Sequence, residues 1–128
     1  MSWAAARKWS QSCGVPDVLH IVLHFVVPLV VAILFHRDRW KQAWLILVAT
    51  MVVDLDHLLA TPIYDPLRCS IGFHPMHTWP LILAYVAAFV LPWIWKAGDP
   101  RRKTVRLIHL VGLGLLIHMA LDAVDCLV

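Results

Sequence analysis

The chain has 128 residues, of which 61% are hydrophobic and 15% charged, with seven Trp and a mean hydropathy of +0.75. Soluble domains run at about 45–50% apolar and about 25% charged, so this composition excludes both an ordinary soluble domain and a disordered tail. Three Cys are too few for a small disulfide-held secreted framework, and the net charge of +3 resides mainly in short joints between apolar runs, which fits membrane topology and not nucleic-acid binding.

The expectation is a single all-α domain, 1–128: an integral membrane bundle of four transmembrane helices behind a short interfacial segment. That segment, 1–16, contains Trp3, Arg7, Lys8 and Trp9, a mixture suited to a membrane interface. The first span, about 17–35, has Pro28 inside it, which predicts a kink. No small-residue cleavage site follows this run, so it reads as a retained helix and not a signal peptide. The second span covers about 42–60. The third, about 78–95, has Pro80 in its first turn and Pro92 near its end. The fourth, about 105–125, carries Gly112 and Gly114, small enough to admit a neighbouring helix closely.

Basic residues orient this bundle. Arg37, Arg39, Lys41, Lys96, Arg101, Arg102, Lys103 and Arg106 fall on one side, and Arg7, Lys8 and Arg68 on the other. The positive-inside bias then puts both termini and the 61–77 loop outside the cytoplasm.

Acidic and imidazole groups gather on that outer side. All eight acidic residues are Asp. His20 and His24 are four apart, as are His118 and Asp122, while Asp54 and His57 are three apart, so each pair shares a helix face. Ionisable groups within a membrane segment face the bundle interior, so the pairs are expected to meet, joined by His74 and His77 from the loop. Mixed imidazole and carboxylate donors suit zinc, with manganese or iron as alternatives, and the number of candidates fits two ions or one ion with a full outer shell. His36 and His109 fall on the other side and read as packing residues. Cys69 and Cys126 are expected either to pair, pinning the loop to the last helix, or to serve as soft zinc ligands.

Val53-Asp54-Leu55-Asp56-His57 resembles the Pro-Asp-Ile-Asp-His segment of the bacterial inner-membrane metal-dependent hydrolases, small multi-helix proteins distantly related to zinc-dependent phospholipase C. An early helical histidine (His20 or His24), the loop His74-Pro75-Met76-His77-Thr78 and a closing His118-x-x-x-Asp122 follow the same order, although the family's loop is longer between its two histidines. The resemblance implies a zinc-type hydrolase in the inner membrane.

Together these readings predict hydrolysis of an ester or phosphoester, lipid-linked, at the periplasmic interface, with membrane lipids as partners. His20, His24, Asp54, His57, His74, His77, His118 and Asp122 are the expected ligands. Asp56 is expected to be a bridging ligand or general base, and Asp17 and Asp125 to orient His20 and His118. Arg68 is the nearest cation, suited either to a phosphate or to an ion pair with Asp65. The alternatives are a metal-binding or metal-transport protein without enzymatic activity, a di-iron lipid hydroxylase of the kind that carries His-x-x-x-His boxes, and a haem protein.

Overall fold

A computed structural model describes residues 17–63, 65, 68–94 and 102–127. The expected interfacial segment 1–16, with Cys13, and most of the basic joint near 96–101 lie outside the described residues. Every element among the described residues is helical, and no strand occurs among them. Helix α1 spans Asp17–Phe35, α2 Trp40–Ala49, α3 Trp79–Ile94 and α4 Arg102–Leu127. Short 3-10 turns at Arg37–Arg39 and Pro75–His77 lead into α2 and α3.

Among the described residues three helical stretches are long and apolar enough to cross a membrane: Asp17–Phe35, Arg37–Leu59 and Arg102–Leu127. The described part of α3 is apolar but has 16 residues. At 1.5 Å per residue that is about 24 Å, short of the roughly 30 Å hydrocarbon core.

The second apolar run departs from a uniform α-helix. After Ala49 it tightens into a 3-10 helix over Thr50–Leu59. Such a helix repeats every three residues, and its buried residues, Thr50, Val53 and Asp56, recur with that period. A continuing α-helix would instead have turned the residues four and seven beyond Thr50 inward, Asp54 and His57. The tighter winding is why Asp56 is the buried acid of the segment.

Helix α4 is the axis of the fold and packs on α1, α2 and α3. Its glycines permit the approach: a Cβ at Gly112 would lie 2.5 Å from Phe89 N on α3, and one at Gly114 would lie 3.1 Å from Leu47 Cα on α2. Two apolar clusters hold the helices together, one built on Ala32, Ala43, Leu47 and Leu110, the other on Val53, Tyr85, Leu115 and Met119. Pro28 is buried within the continuous α1, and in the turn before it the Phe25 carbonyl accepts from Trp44 Nε1–H (3.2 Å).

The distribution of polarity is inverted relative to a soluble protein. Among the described residues seven polar or charged ones are buried beside eight hydrophobic ones, while Val18, Ile21, Val30, Leu45, Leu83 and Leu107 are among the large apolar side chains facing outward. Water would penalise that exterior and lipid would not.

Candidate metal centre

The buried polar groups converge where the start of α1, the 3-10 segment, the Pro75–His77 turn and the end of α4 meet. His118 and Asp122 are one turn apart on α4 and face inward, both almost fully buried. From the 3-10 segment Asp54 Oδ1 lies 3.0 Å from His118 Nε2. From the loop His77 Nε2 lies 3.0 Å from Asp122 Oδ2 and 3.8 Å from Asp54 Oδ1, and His118 Nε2 is 3.6 Å from Asp122 Oδ2. Donors at the corners of a tetrahedron around an ion at zinc-type bond lengths are separated by about 3.3 Å. The four observed separations bracket that value.

Hydrogen bonding alone leaves this arrangement unsatisfied. His77 Nε2, Asp122 Oδ2 and His24 Nε2 are buried without an aligned hydrogen-bond partner, although each has an opposite donor or acceptor close by. Asp56 Oδ1 and His118 Nδ1 share that state. Buried polar atoms are rarely left unpartnered. A cation among Asp54, His77, His118 and Asp122 would satisfy the first two at once, and the donor set is that of a borderline transition ion.

A second group adjoins the first. Asp122 Oδ1 lies 3.2 Å from His20 Nε2 and 3.4 Å from His24 Nε2. The His24 ring is fixed by Nδ1, 2.9 Å from the His20 carbonyl. A third group, Asp56, His57 and His77, shares His77 with the first. In each group one donor atom per residue can be chosen so that all lie within 4.8 Å of one another.

Asp56 stands behind His77. Its Oδ2 accepts from the Met76 backbone N–H (2.7 Å) and from His77 Nδ1 (3.2 Å). A carboxylate on the far nitrogen sets the tautomer and direction of a metal-binding imidazole. With Oδ2 held by two donors, Asp56 is placed to orient His77. Burial disfavours the His77 cation, but the Asp122 and Asp56 carboxylates overcome this and raise its pKa.

The other expected site residues are placed differently. His57 and His74 stack on each other, ring centroids 3.7 Å apart, outside the four-donor group. His57 uses Nε2 on Ser70 Oγ (3.1 Å) and turns Nδ1 toward Asp56 Oδ1 (3.1 Å). Burial and the neighbouring His57 push the His74 pKa down. Asp125 reaches His20 (4.0 Å) and not His118, because Asp125 lies two turns beyond His118, alongside the start of α1. Asp17 opens α1. Arg68 donates to the Pro62 carbonyl (2.7 Å), pairs with Asp65 (3.7 Å) and covers the Phe73 ring, so its guanidinium is engaged within the loop. His36 and His109 face each other at the opposite end, where His109 Nδ1 donates to the Phe89 carbonyl (2.9 Å).

Cys69 and Cys126 form a disulfide, with Cα atoms 5.2 Å apart. It fastens the loop that delivers His77 to the end of α4, which delivers Asp122. Sequence reasoning passed over Ser70, Gly72 and Tyr85, which shape this loop. The Gly72 N–H donates to the His77 carbonyl (2.9 Å) and the Tyr85 hydroxyl to the Met76 carbonyl (3.0 Å). The signal available for Gly72 was its place just before Phe73-His74-Pro75, where a turn must form.

No curated protein and no solved structure matches the chain. The model of one family, described as a family of unknown function (DUF6122), matches residues 15–128, and the chain belongs to that family.

Proposed function

We infer that the protein is a membrane-embedded metal-dependent hydrolase whose centre lies at one membrane face and acts on an ester or phosphoester, lipid-linked by virtue of that position. The observation that carries this reading is the convergence of Asp54, His77, His118 and Asp122 from three separate segments at ion-sharing distances. A divalent ion held there, zinc first and manganese or iron as alternatives, would supply Lewis acidity and an acidified water at neutral pH. The chain supplies the rest: Asp56 aims His77, Asp122 joins α4 to α1, and the disulfide fixes the loop against α4.

The four apolar helices support an inner-membrane bundle. Arg37, Arg39, Arg102, Lys103 and Arg106 line a common concavity at the end remote from the His and Asp groups, which supports a cytoplasmic placement for that end and a periplasmic one for the centre. A disulfide beside the centre agrees with an oxidising compartment. Transport is disfavoured, because the apolar cluster of Ala32, Ala43, Leu47 and Leu110 separates the centre from His36 and His109.

The test uses the whole chain in lipid nanodiscs, presented with p-nitrophenyl esters, p-nitrophenyl phosphodiesters and headgroup-labelled phospholipids. Hydrolysis that a chelator abolishes, that Zn2+ or Mn2+ restores and that Asp122→Asn lacks is the expected result. Absence of chelator-sensitive hydrolysis across the panel would overturn the reading.

A further inference from the structure

We propose that the centre holds two ions bridged by the carboxylate of Asp122, and that the ion between His20 and His24 is the one open to water and substrate. The bridge extends the metal centre inferred above by a second position, and the assignment of the open ion depends on the hydrolase reading.

The two oxygens of Asp122 divide four histidines between them. Oδ1 faces His20 Nε2 and His24 Nε2 at 3.2 and 3.4 Å, whereas Oδ2 faces His77 Nε2 and His118 Nε2 at 3.0 and 3.6 Å. A carboxylate shared in this way spans ions about 3.5–4 Å apart, the spacing of two-metal hydrolytic centres. The His24 tautomer fits the same assignment. Its Nδ1 is committed to the His20 carbonyl, which leaves the buried Nε2 as a lone pair directed at Asp122 Oδ1 and otherwise unpartnered.

Charge points the same way. Asp54, Asp56, Asp122 and Asp125 bring four carboxylates to one end of the bundle, and among the described residues no Lys or Arg lies within ion-pair distance of them. Asp56 and Asp122 are buried while Asp54 and Asp125 are partly exposed, so water screens part of this charge, and two divalent ions would balance all four carboxylates.

The two positions differ in the number of protein donors. The first has four, three of them buried and Asp54 39% exposed. The second has three, with His20 23% exposed. Closed four-ligand sites are structural, and three protein ligands with a free position characterise catalytic ions. The chemistry is therefore assigned to the α1 side of Asp122.

The experiment strips the detergent-purified chain with a chelator, reloads it with Zn2+ and counts bound metal by inductively coupled plasma mass spectrometry, alongside electron paramagnetic resonance of the Mn2+-loaded protein. Wild type should hold two equivalents and give an exchange-coupled Mn2+ spectrum. His20→Ala should hold one, give an isolated six-line spectrum and lose chelator-sensitive hydrolysis. His24→Asn should lose the same equivalent, and the partly exposed His20 provides the milder variant should His24→Asn misfold. One equivalent in wild type that survives His20→Ala would remove the second ion and leave the first. Two equivalents without exchange coupling would remove the bridge. His20→Ala hydrolysing at the wild-type rate with one ion would overturn the assignment of the open ion, and no bound metal at all would overturn both this proposal and the metal centre.

Discussion

Replacing Gly112 with Ala tests whether the centre depends on how closely α3 lies against α4. The added Cβ would stand 2.5 Å from Phe89 N, 2.8 Å from Ala88 C and 3.0 Å from Phe89 Cα, where ordinary contact starts at 3.4 Å. All three are backbone atoms, so no rotamer change relieves the overlap, and α3 must move away by about 1 Å in a tightly packed interior. Overpacking of this kind costs about 1–3 kcal/mol. The displacement also reaches the centre, because His77 lies two residues before α3 starts at Trp79. Thermal unfolding in detergent by circular dichroism and Zn2+ affinity by competition with a chelating dye would read both effects. Gly114→Ala is the comparison. Two of its three closest contacts are Thr50 Cγ2 and Oγ1, both at 2.8 Å, so Thr50→Ala should rescue it in part. Trimming Phe89 should not rescue Gly112→Ala, since the clash is with backbone. A Gly112→Ala protein with the wild-type midpoint and Zn2+ affinity would refute the reasoning.

Four further outcomes are expected. Asp56→Ala should weaken Zn2+ binding by about 10–100-fold, because it removes the carboxylate that orients His77; unchanged affinity in the dye competition would contradict that role. Cys69→Ser opens a disulfide between residues 57 apart and should lower stability by up to about 4 kcal/mol, an effect that reductant should reproduce in wild type but not in the variant. Gly72→Ala should cost about 1–2 kcal/mol through its positive φ alone, since nothing lies within 4 Å of the new Cβ, and Gly72→Asn should recover part of the loss. His36, lowered by burial and then by Arg106 and His109, should show a proton NMR titration midpoint below the usual value near 6.5. Its folded-state pKa lies below the unfolded one, so its contribution to stability is present above about pH 6.5 and declines as pH falls; a midpoint at or above that value would contradict the burial.

The positions of α1 and α4 are legible in the sequence because largely apolar runs of spanning length leave little alternative to helix, although α4 starts at Arg102 and ends at Leu127, beyond the expected 105–125. His118 and Asp122 are equally legible, since four-residue spacing fixes a shared face in any α-helix. Asp56 is not. Its burial depends on the change of winding after Ala49, and Thr50–Leu59 has no Gly or Pro to mark that change. The expected pairing of Asp125 with His118 fails for a related reason: residues seven apart on one helix share a face but stand about 10 Å apart, and only the packing of α1 against α4 decides which partner is near. The division of His77 and His57 between the centre and its flank is set by Ser70 and Gly72, whose effect lies in loop geometry.

The 3-10 segment makes the composition of the centre a matter of handed rotation. Each residue advances about 120° there against about 100° in an α-helix, so six residues past Thr50 the two windings differ by about 120° in azimuth. They differ in reach as well: ten residues extend about 20 Å in one and about 15 Å in the other. The stretch from Thr50 to Leu59 therefore acts as a screw thread whose tight pitch sets where its carboxylates point. In the observed pitch Asp56 is presented to the His77 turn while Asp54 reaches His118 from the edge of the segment, whereas an α-helical pitch would rotate both away from these positions and withdraw the end of the segment by about 5 Å. The winding of these ten residues thus sets which carboxylate lies buried behind His77 and which stays at the edge of the four-donor group.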